Sequence, residues 1–564
     1  MRRLRFGTAL LFLSLLLIYA GFVLYPLSSL LTESLHFDRE VSFEVYRRLL
    51  DPSNHSSMEA AVNTVLVSLL SVVGSGIGGV ILAVTCTQLT FPLRRTLSKL
   101  AVLPVALPPL VGVIAFLFVF GESGILPRLL RLAFGFATLP LSLDGMPAIV
   151  TVHAYAFSVY FYLFVSTALE RLDASVLEAA ESFGASRFAI MRKIVLPELK
   201  PALLGASILT FMSSMASFSA PLLFAGEKRF LTLEMFNAKL NGELDVAAGL
   251  AVMLTLLSVA FYVLLHALTT EPLGAASTKG AARMGRLSFS RGTRVVLLTL
   301  AVTIVVVEML PLIVIVLISF TREGSWTWQI LPTAYTIENY IKLFSDDAVF
   351  QPIVNSLEMS ALATAASILV GVGIAYLLTK GSLRRWRVVL EIPATLPYAV
   401  PGTVIAVSLI LAYNRSTIFT GGTILVGTFI ILPLAYFIRM FPFVVRSATA
   451  SLAQVDDALL EAGEACGAGP FRRFRRILLP LIQPGIVSGG MLVMITALGE
   501  FVSSILLYTY ANRPIAVEIF AQLRMYNFGA AAAYSVLLLV LILLLVGAAQ
   551  RIARNESGVR APMM

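Results

Sequence analysis

Glu308 and Glu500 lie deep inside apolar stretches of this 564-residue chain, and Glu358, Glu391 and Arg439 lie nearer the ends of others. Ionisable side chains in such stretches are functional candidates by default. His153, Tyr155, Tyr160 and Tyr162 share one further stretch. Carboxylate and phenolate oxygens are hard donors that suit a trivalent cation. The same residues admit a plainer role. The glutamates can be hydrogen-bonded between helices, and the aromatic side chains can pack or anchor at an interface. Two more apolar stretches are broken by proline, one at Pro104, Pro108 and Pro109, the other at Pro393, Pro397 and Pro401. Proline removes a helical hydrogen bond, and a helix broken inside a bilayer persists only where protein or a water-filled cavity satisfies its backbone. Pro108 and Pro397 therefore mark candidate gate-lining elements, with a simple kink as the alternative.

The most regular polar feature is Glu178-Ala-Ala-Glu-Ser-Phe-Gly184, running on to Ile194-Val-Leu-Pro197. It recurs 283 residues later, without a gap, as Glu461-Ala-Gly-Glu-Ala-Cys-Gly467, running on to Ile477-Leu-Leu-Pro480. Each copy reads as two short helices with a bend. Asp173 and Asp456 are placed to cap the first helix. Gly184 and Gly467 end it, because glycine takes the left-handed conformation cheaply. A second helix starts near Ser186 or at Pro470, with Phe188, Met191 and Val195, or Phe471, Phe474 and Leu478, at helical spacing. Its other positions are basic. An arginine at the bilayer centre costs about 2.5–3.5 kcal/mol, so Arg472, Arg473, Arg475 and Arg476 keep this segment outside the hydrocarbon. The small face of Ala179 and Ala180 lets another protein approach closely.

These residues must be positioned by a membrane protein. The chain is 58% hydrophobic and 13% charged, against about 25% charged in a soluble domain. Twelve spans are expected, near 8–31, 59–86, 98–121, 145–170, 201–225 and 247–270, then 294–319, 352–379, 388–413, 422–446, 483–507 and 530–550. The first apolar run is longer than the 7–15 residues or so of a signal-peptide core, so it reads as an uncleaved span. With the N-terminus inside, most of the 42 lysines and arginines fall in inner segments, as the charge rule requires. Loop placement thus accounts for the net charge of +10 without nucleic acid. Both polar segments, and both termini, then face the cytoplasm. Cys86 and Cys466 do not suggest a disulfide framework, and four histidines without close spacing give no zinc site.

The repeat extends beyond the polar segments. Val62-Asn63 matches Val354-Asn355, Leu103-Pro104 matches Ile392-Pro393, and Glu234 matches Glu518. The expected fold is all-α, with two tandem six-span repeats of parallel topology. The repeats are residues 1–272 and 294–564, and a flexible inner linker, 273–293, joins them.

Both polar segments resemble the EAA loop of ABC-importer permeases, E-A-A, three residues, G, then I-x-L-P. Gly463 replaces the second alanine in the second copy. The resemblance implies that Glu178, Ala179, Ala180 and Gly184, and Glu461, Ala462, Gly463 and Gly467, couple to a cytoplasmic ATPase that receives each loop in a groove. The chain has no G-x-x-x-x-G-K-[ST] loop to cradle ATP phosphates. It is therefore expected to be a non-catalytic subunit, one per complex, with two copies of a separate ATPase carrying ATP-Mg and a substrate-binding protein outside. The compartment implied is a bacterial or archaeal plasma membrane. Leu498-Gly-Glu-Phe-Val-Ser-Ser, Pro514-Ile-Ala-Val-Glu-Ile-Phe520 and Asn527-Phe-Gly-Ala-Ala531 look most like ferric-iron permeases. Thiamine, aminoethylphosphonate or polyamine carriers share the layout. A secondary transporter of the major-facilitator type would carry G-x-x-x-D-R-x-G-R-R between spans 2 and 3, where this chain has Thr90-Phe-Pro-Leu-Arg-Arg. A membrane-embedded enzyme would gather acids or histidines at one depth, and here the glutamates are scattered.

Overall fold

The computed structural model describes residues 6–37, 40–51, 55–135, 143–267, 285–380, 390–391, 397 and 400–556. Among them, 11 helices are long and apolar enough to cross a membrane, from Ala9–Ser34 to Phe528–Arg551. Lipid offers no partner for a free backbone group, so each apolar run closes its hydrogen bonds within a helix. One antiparallel hairpin, His36–Phe37 with Glu40–Val41, is the only named sheet among the described residues. The protein is an all-α, multi-pass membrane protein.

Several expected spans differ from the reading of the sequence: 201–225 and 483–507 break after Met215 and Leu498, and two others differ further. The stretch 98–121 is not one helix. It breaks into Arg94–Leu100, a 3-10 turn at Leu103–Ala106, and Pro109–Phe120. Pro104 sits in the turn, and Pro108 stands extended before the next helix with φ −54° and ψ 133°. Proline rings forbid the residue before them an easy helical conformation, so three prolines in six residues enforce the break. The membrane-length segment here is Pro109–Phe134. The expected span 388–413 is represented by the shorter apolar helix Gly402–Tyr413. Residues 381–389, 392–396 and 398–399 lie outside the described ones.

Packing divides the chain into two compact units. One holds residues 1–48, 235–252 and 337–564, the other 49–234 and 253–336. These units do not coincide with the sequence repeats, because the opening helix of each repeat, and residues 235–252 of the first, belong to the other unit. In the first unit, Tyr25–Ser34 lies on Gly402–Tyr413. Tyr413 Oη donates to Gly21 O, and the Tyr19 and Phe441 rings lie 6.0 Å apart. A Cβ on Gly21 would stand 2.7 Å from the Phe419 ring, so glycine permits this crossing. In the second unit, Arg291–Ser319 packs on Pro109–Phe120 and His55–Gln88. Thr85 Oγ1 donates to Leu297 O at 3.3 Å there.

Of the expected linker 273–293, residues 273–284 lie outside the described ones. The rest is not free. Gly285 and Leu287 are hydrogen-bonded to Leu172 and Gln88, and Arg291 already opens a helix that Ser290 caps by accepting from Thr293 N–H at 3.1 Å.

Candidate docking helices and intramembrane polar centres

The two polar segments fold alike at the cap and the end of their first helix. Asp173 accepts from Ser175 N–H at 2.9 Å and starts the helix Ala174–Ser182. Asp456 accepts from Ala458 N–H at 2.9 Å and starts Asp457–Ala465. Gly184 and Gly467 end these helices at φ 76° and 78°. Beyond each glycine the chain turns back. Ala185 N–H donates to Ala180 O at 3.0 Å, and Ala468 N–H donates to Gly463 O at 3.0 Å. This six-residue closure satisfies carbonyls that a helix end leaves open. Glu178, Ala179 and Gly184 are exposed, as are Glu461, Ala462 and Gly467, while Ala180 and Gly463 are half-buried. At Gly463 an added Cβ would meet Ile477 Cδ1 at 2.7 Å. The second copy therefore closes more tightly than an Ala-for-Gly equivalence implies.

The helix after each glycine is not short. Arg187–Ile190 passes through a π turn, Met191–Val195, straight into Leu196–Met215. Pro470–Arg473, Phe474–Leu478 and Leu479–Leu498 repeat the pattern. Pro197 and Pro480 lack an N–H, and their rings crowd the carbonyl four residues back. The wider π turn gives that carbonyl room. The expected apolar stripe is half realised. Val195 and Leu478 are buried, but Phe188 and Phe471 stand 73% and 75% exposed at matched positions. Paired exposed aromatics beside a small-faced helix give each copy the same apolar patch, a candidate docking surface.

Glu500 lies where Leu479–Leu498 gives way to Val502–Leu507. It accepts from Arg439 Nη1 at 2.6 Å and from Ser503 N–H at 2.9 Å. Arg439, on Ile431–Ala453, was read separately from Glu500 in the sequence. The fold makes them an ion pair. Tyr436, one turn earlier on that helix, shares a hydrogen bond of 2.7 Å with Ser504 Oγ. The matching junction in the other unit is uncharged. His153 and Ser217, each 283 residues before Tyr436 and Glu500, lie 2.9 Å apart through Nε2 and Oγ. His153 Nδ1 lies 2.9 Å from Ser71 Oγ and 3.0 Å from Ser214 Oγ. With every ring nitrogen so engaged, His153 is a packed histidine.

Glu308 belongs to the other unit from Glu500, so the fold does not gather the two acids in one unit. It is buried on Arg291–Ser319, where Oε1 accepts from Ser158 Oγ at 3.3 Å. Its Oε2 and the Tyr155 hydroxyl, one turn before Ser158, are buried without a hydrogen-bond partner among the described residues. Glu358 is exposed on Asp347–Thr379. Pro108 caps Pro109–Phe120, as Pro401 caps Gly402–Tyr413. Pro401 is thus the structural counterpart of Pro108, while the motif match had pointed to Pro397. Pro397 is buried and lines a small void with Phe22, Pro26 and Ile438.

The sequence pattern of the family described as "Binding-protein-dependent transport system inner membrane component" matches residues 75–270 and 367–557, more than half of the chain. The chain belongs to this family. A probable ABC transporter permease of Sinorhizobium fredii is 28% identical over 505 residues, 88% of this chain and 87% of that protein. A putative ferric transport system permease of Haemophilus influenzae is 26% identical over 512 residues, 89% of this chain and 78% of that protein. A putative 2-aminoethylphosphonate transport system permease of Salmonella paratyphi A is 26% identical over 258 residues, 45% of this chain and 92% of that protein.

The twofold family match is mirrored in contacts the sequence reading did not assign. In one half of the permease, Asn63 Nδ2 donates to Arg229 O at 3.1 Å, and Thr64 Oγ1 accepts from Leu231 N–H at 3.0 Å. In the other, Asn355 Nδ2 donates to Arg513 O at 3.0 Å, and Ser356 Oγ accepts from Ile515 N–H at 2.8 Å. An ion pair follows each, Arg229–Glu234 at 3.4 Å and Arg513–Glu518 at 2.6 Å. Burial pushes the Glu234 carboxyl above the usual range, against the opposing pull of Arg229. The matched Val-Asn and Glu residues were visible in the sequence. The arginines were the available signal for their partners, 284 residues apart like the glutamates.

Proposed function

We propose that this chain is the fused permease of an ABC importer that moves a small solute, ferric iron, inward across a bacterial or archaeal plasma membrane. Two copies of a separate ATPase dock on Ala174–Ser182 and Asp457–Ala465, hydrolyse ATP-Mg, and drive the change of access. A substrate-binding protein delivers the solute outside, one permease chain serves each complex, and both termini lie in the cytoplasm. The observation that carries this reading is the doubled docking helix, with one cap, one left-handed glycine and one exposed phenylalanine in each copy. A protein that works on two identical ATPase subunits must present the same surface twice.

Iron is favoured over the other cargoes by coverage. The ferric permease aligns with 89% of the chain, through both halves. The aminoethylphosphonate permease aligns with 45%. Proposed pathway residues are Glu308, Glu500 with its partner Arg439, Pro108 and Pro397. The test is to purify the chain with its ATPase and load the binding protein with ferric ion, 2-aminoethylphosphonate, spermidine or thiamine in turn. Ferric loading alone should stimulate ATP hydrolysis. Stimulation by another cargo overturns iron, and a chain that retains no ATPase overturns the importer reading.

A further inference from the structure

The carbonyl just before each docking helix is held, but by different means in the two halves. Leu172 and Val455 are the matched residues, 283 apart. Val455 O accepts from Lys380 Nζ at 2.7 Å, and the same ammonium reaches the Asp457 carboxylate. Lys380 closes the helix Asp347–Thr379. Its repeat counterpart is Gln88, 292 residues earlier, as Asn63 is to Asn355. Gln88 closes His55–Gln88 but makes no such bond. Instead its Oε1 accepts from Leu287 N–H at 2.9 Å, and Gly285 N–H donates to Leu172 O at 2.7 Å.

The backbone between the two halves thus occupies the place of a lysine side chain. A side chain at 285 would crowd this approach. A Cβ on Gly285 would stand 2.7 Å from Leu177 Cδ1, 3.2 Å from Ala174 N and 3.2 Å from Asp173 C. Two of those three atoms are backbone and cannot swing aside. Leu287 packs on the cluster that also holds Leu177, Ile190 and Val195. The strap leads within a few residues into Arg291–Ser319, the helix that carries Glu308.

We propose that Gly285 and Gln88 are positioning residues for the first docking helix, and that the strap 285–287 does for it what Lys380 does for the second. The junction of the halves is then a working part of one ATPase site, and the two sites differ in what holds them. This rests on the reading of both helices as ATPase docking sites.

The experiment measures hydrogen–deuterium exchange of peptides 172–184 and 455–467 in the full chain, reconstituted in nanodiscs, and Mg-ATP hydrolysis after the ATPase is added. Loss of one backbone hydrogen bond of ordinary strength speeds exchange roughly tenfold. Gly285→Val should do this to 172–184 and leave 455–467 unchanged. Lys380→Gln should do the reverse. Gln88→Lys in the Gly285→Val background should restore protection, because lysine can reach Leu172 O as Lys380 reaches Val455 O. Hydrolysis should fall several-fold in Gly285→Val with the ATPase still bound, and recover with Gln88→Lys. Gln88→Ala, which removes one bond and adds no bulk, should loosen 172–184 in a chain that folds normally. The proposal is overturned if Gly285→Val and Gln88→Ala leave 172–184 unchanged, if both peptides respond alike, or if Gln88→Lys restores nothing. The exchange arms read without the ATPase, so a wild-type chain that binds none sinks the importer reading separately.

Discussion

Arg439 Nη1 donates to Glu500 Oε2 at 2.6 Å through space that Gly402 leaves open. A Cβ on Gly402 would stand 2.6 Å from that same nitrogen. The first turn of one helix, the middle of a second and the break in a third therefore depend on one ion pair. Removing a single partner strands the other charge, at a cost of about 3 kcal/mol. Arg439→Ala should lower the thermal midpoint in detergent, and Arg439→Ala with Glu500→Ala should recover part of the loss. An equal or larger loss in the double variant would show that the pair itself, and not the stranded carboxylate, carries the stability.

Gly184 and Gly467 hold φ near 77°, where a side chain costs about 1 kcal/mol or more. Gly184→Ala and Gly467→Ala should each loosen their own docking helix and reduce ATPase stimulation while the spans stay folded. Near-UV circular dichroism and hydrolysis assays check the two halves of that statement.

Phe188→Ala and Phe471→Ala should weaken ATPase binding about tenfold each, within the range of a truncated interface anchor. Both rings are mostly solvent-facing in the isolated chain, so the thermal midpoint should not move. Surface plasmon resonance with immobilised permease measures the first, and differential scanning fluorimetry the second.

The capped helices Ala174–Ser182 and Asp457–Ala465 were legible because each signal acts within its own segment. Asp173 caps the residue two places on, and Gly184 turns its own peptide, whereas the π turn before Pro197 was not foreseen. The prolines at 104 and 108 announced a disturbance for the same reason, but not that the expected span 98–121 divides into three pieces. Long-range choices were not. Apolar length says that Ala9–Ser34 crosses the membrane, but not that Tyr413 and Phe419 receive it. Likewise Glu500 announces a charge that needs a partner, and the candidate Arg439 is 61 residues away on another span. Gln88 gave no signal by itself. Its role emerges only beside Lys380.

Asn63→Ala and Asn355→Ala should cost nearly equal stability, about 1–2 kcal/mol each. Each asparagine donates to the carbonyl of an arginine that is itself paired with a glutamate. Chemical denaturation of the two variants gives the comparison. A large difference would mean that the repeated geometry hides unequal loads.

Glu308 separates fastening from transport. Its Oε1 takes the Ser158 hydroxyl, and its Oε2 takes nothing among the described residues. Glu308→Gln keeps an oxygen for Ser158 and removes the acid, so a fastening role predicts little change in either stability or uptake. A pathway role predicts a loss of ferric uptake of tenfold or more with the ATPase still retained, because a neutral amide is a far poorer ligand for a hard cation. Ser158→Ala is the control. It deletes the hydrogen bond and spares the carboxylate, so it should cost about 1 kcal/mol and leave uptake near wild type. If Ser158→Ala and Glu308→Gln lower uptake equally, the bond between the two helices is what matters, and Glu308 leaves the pathway.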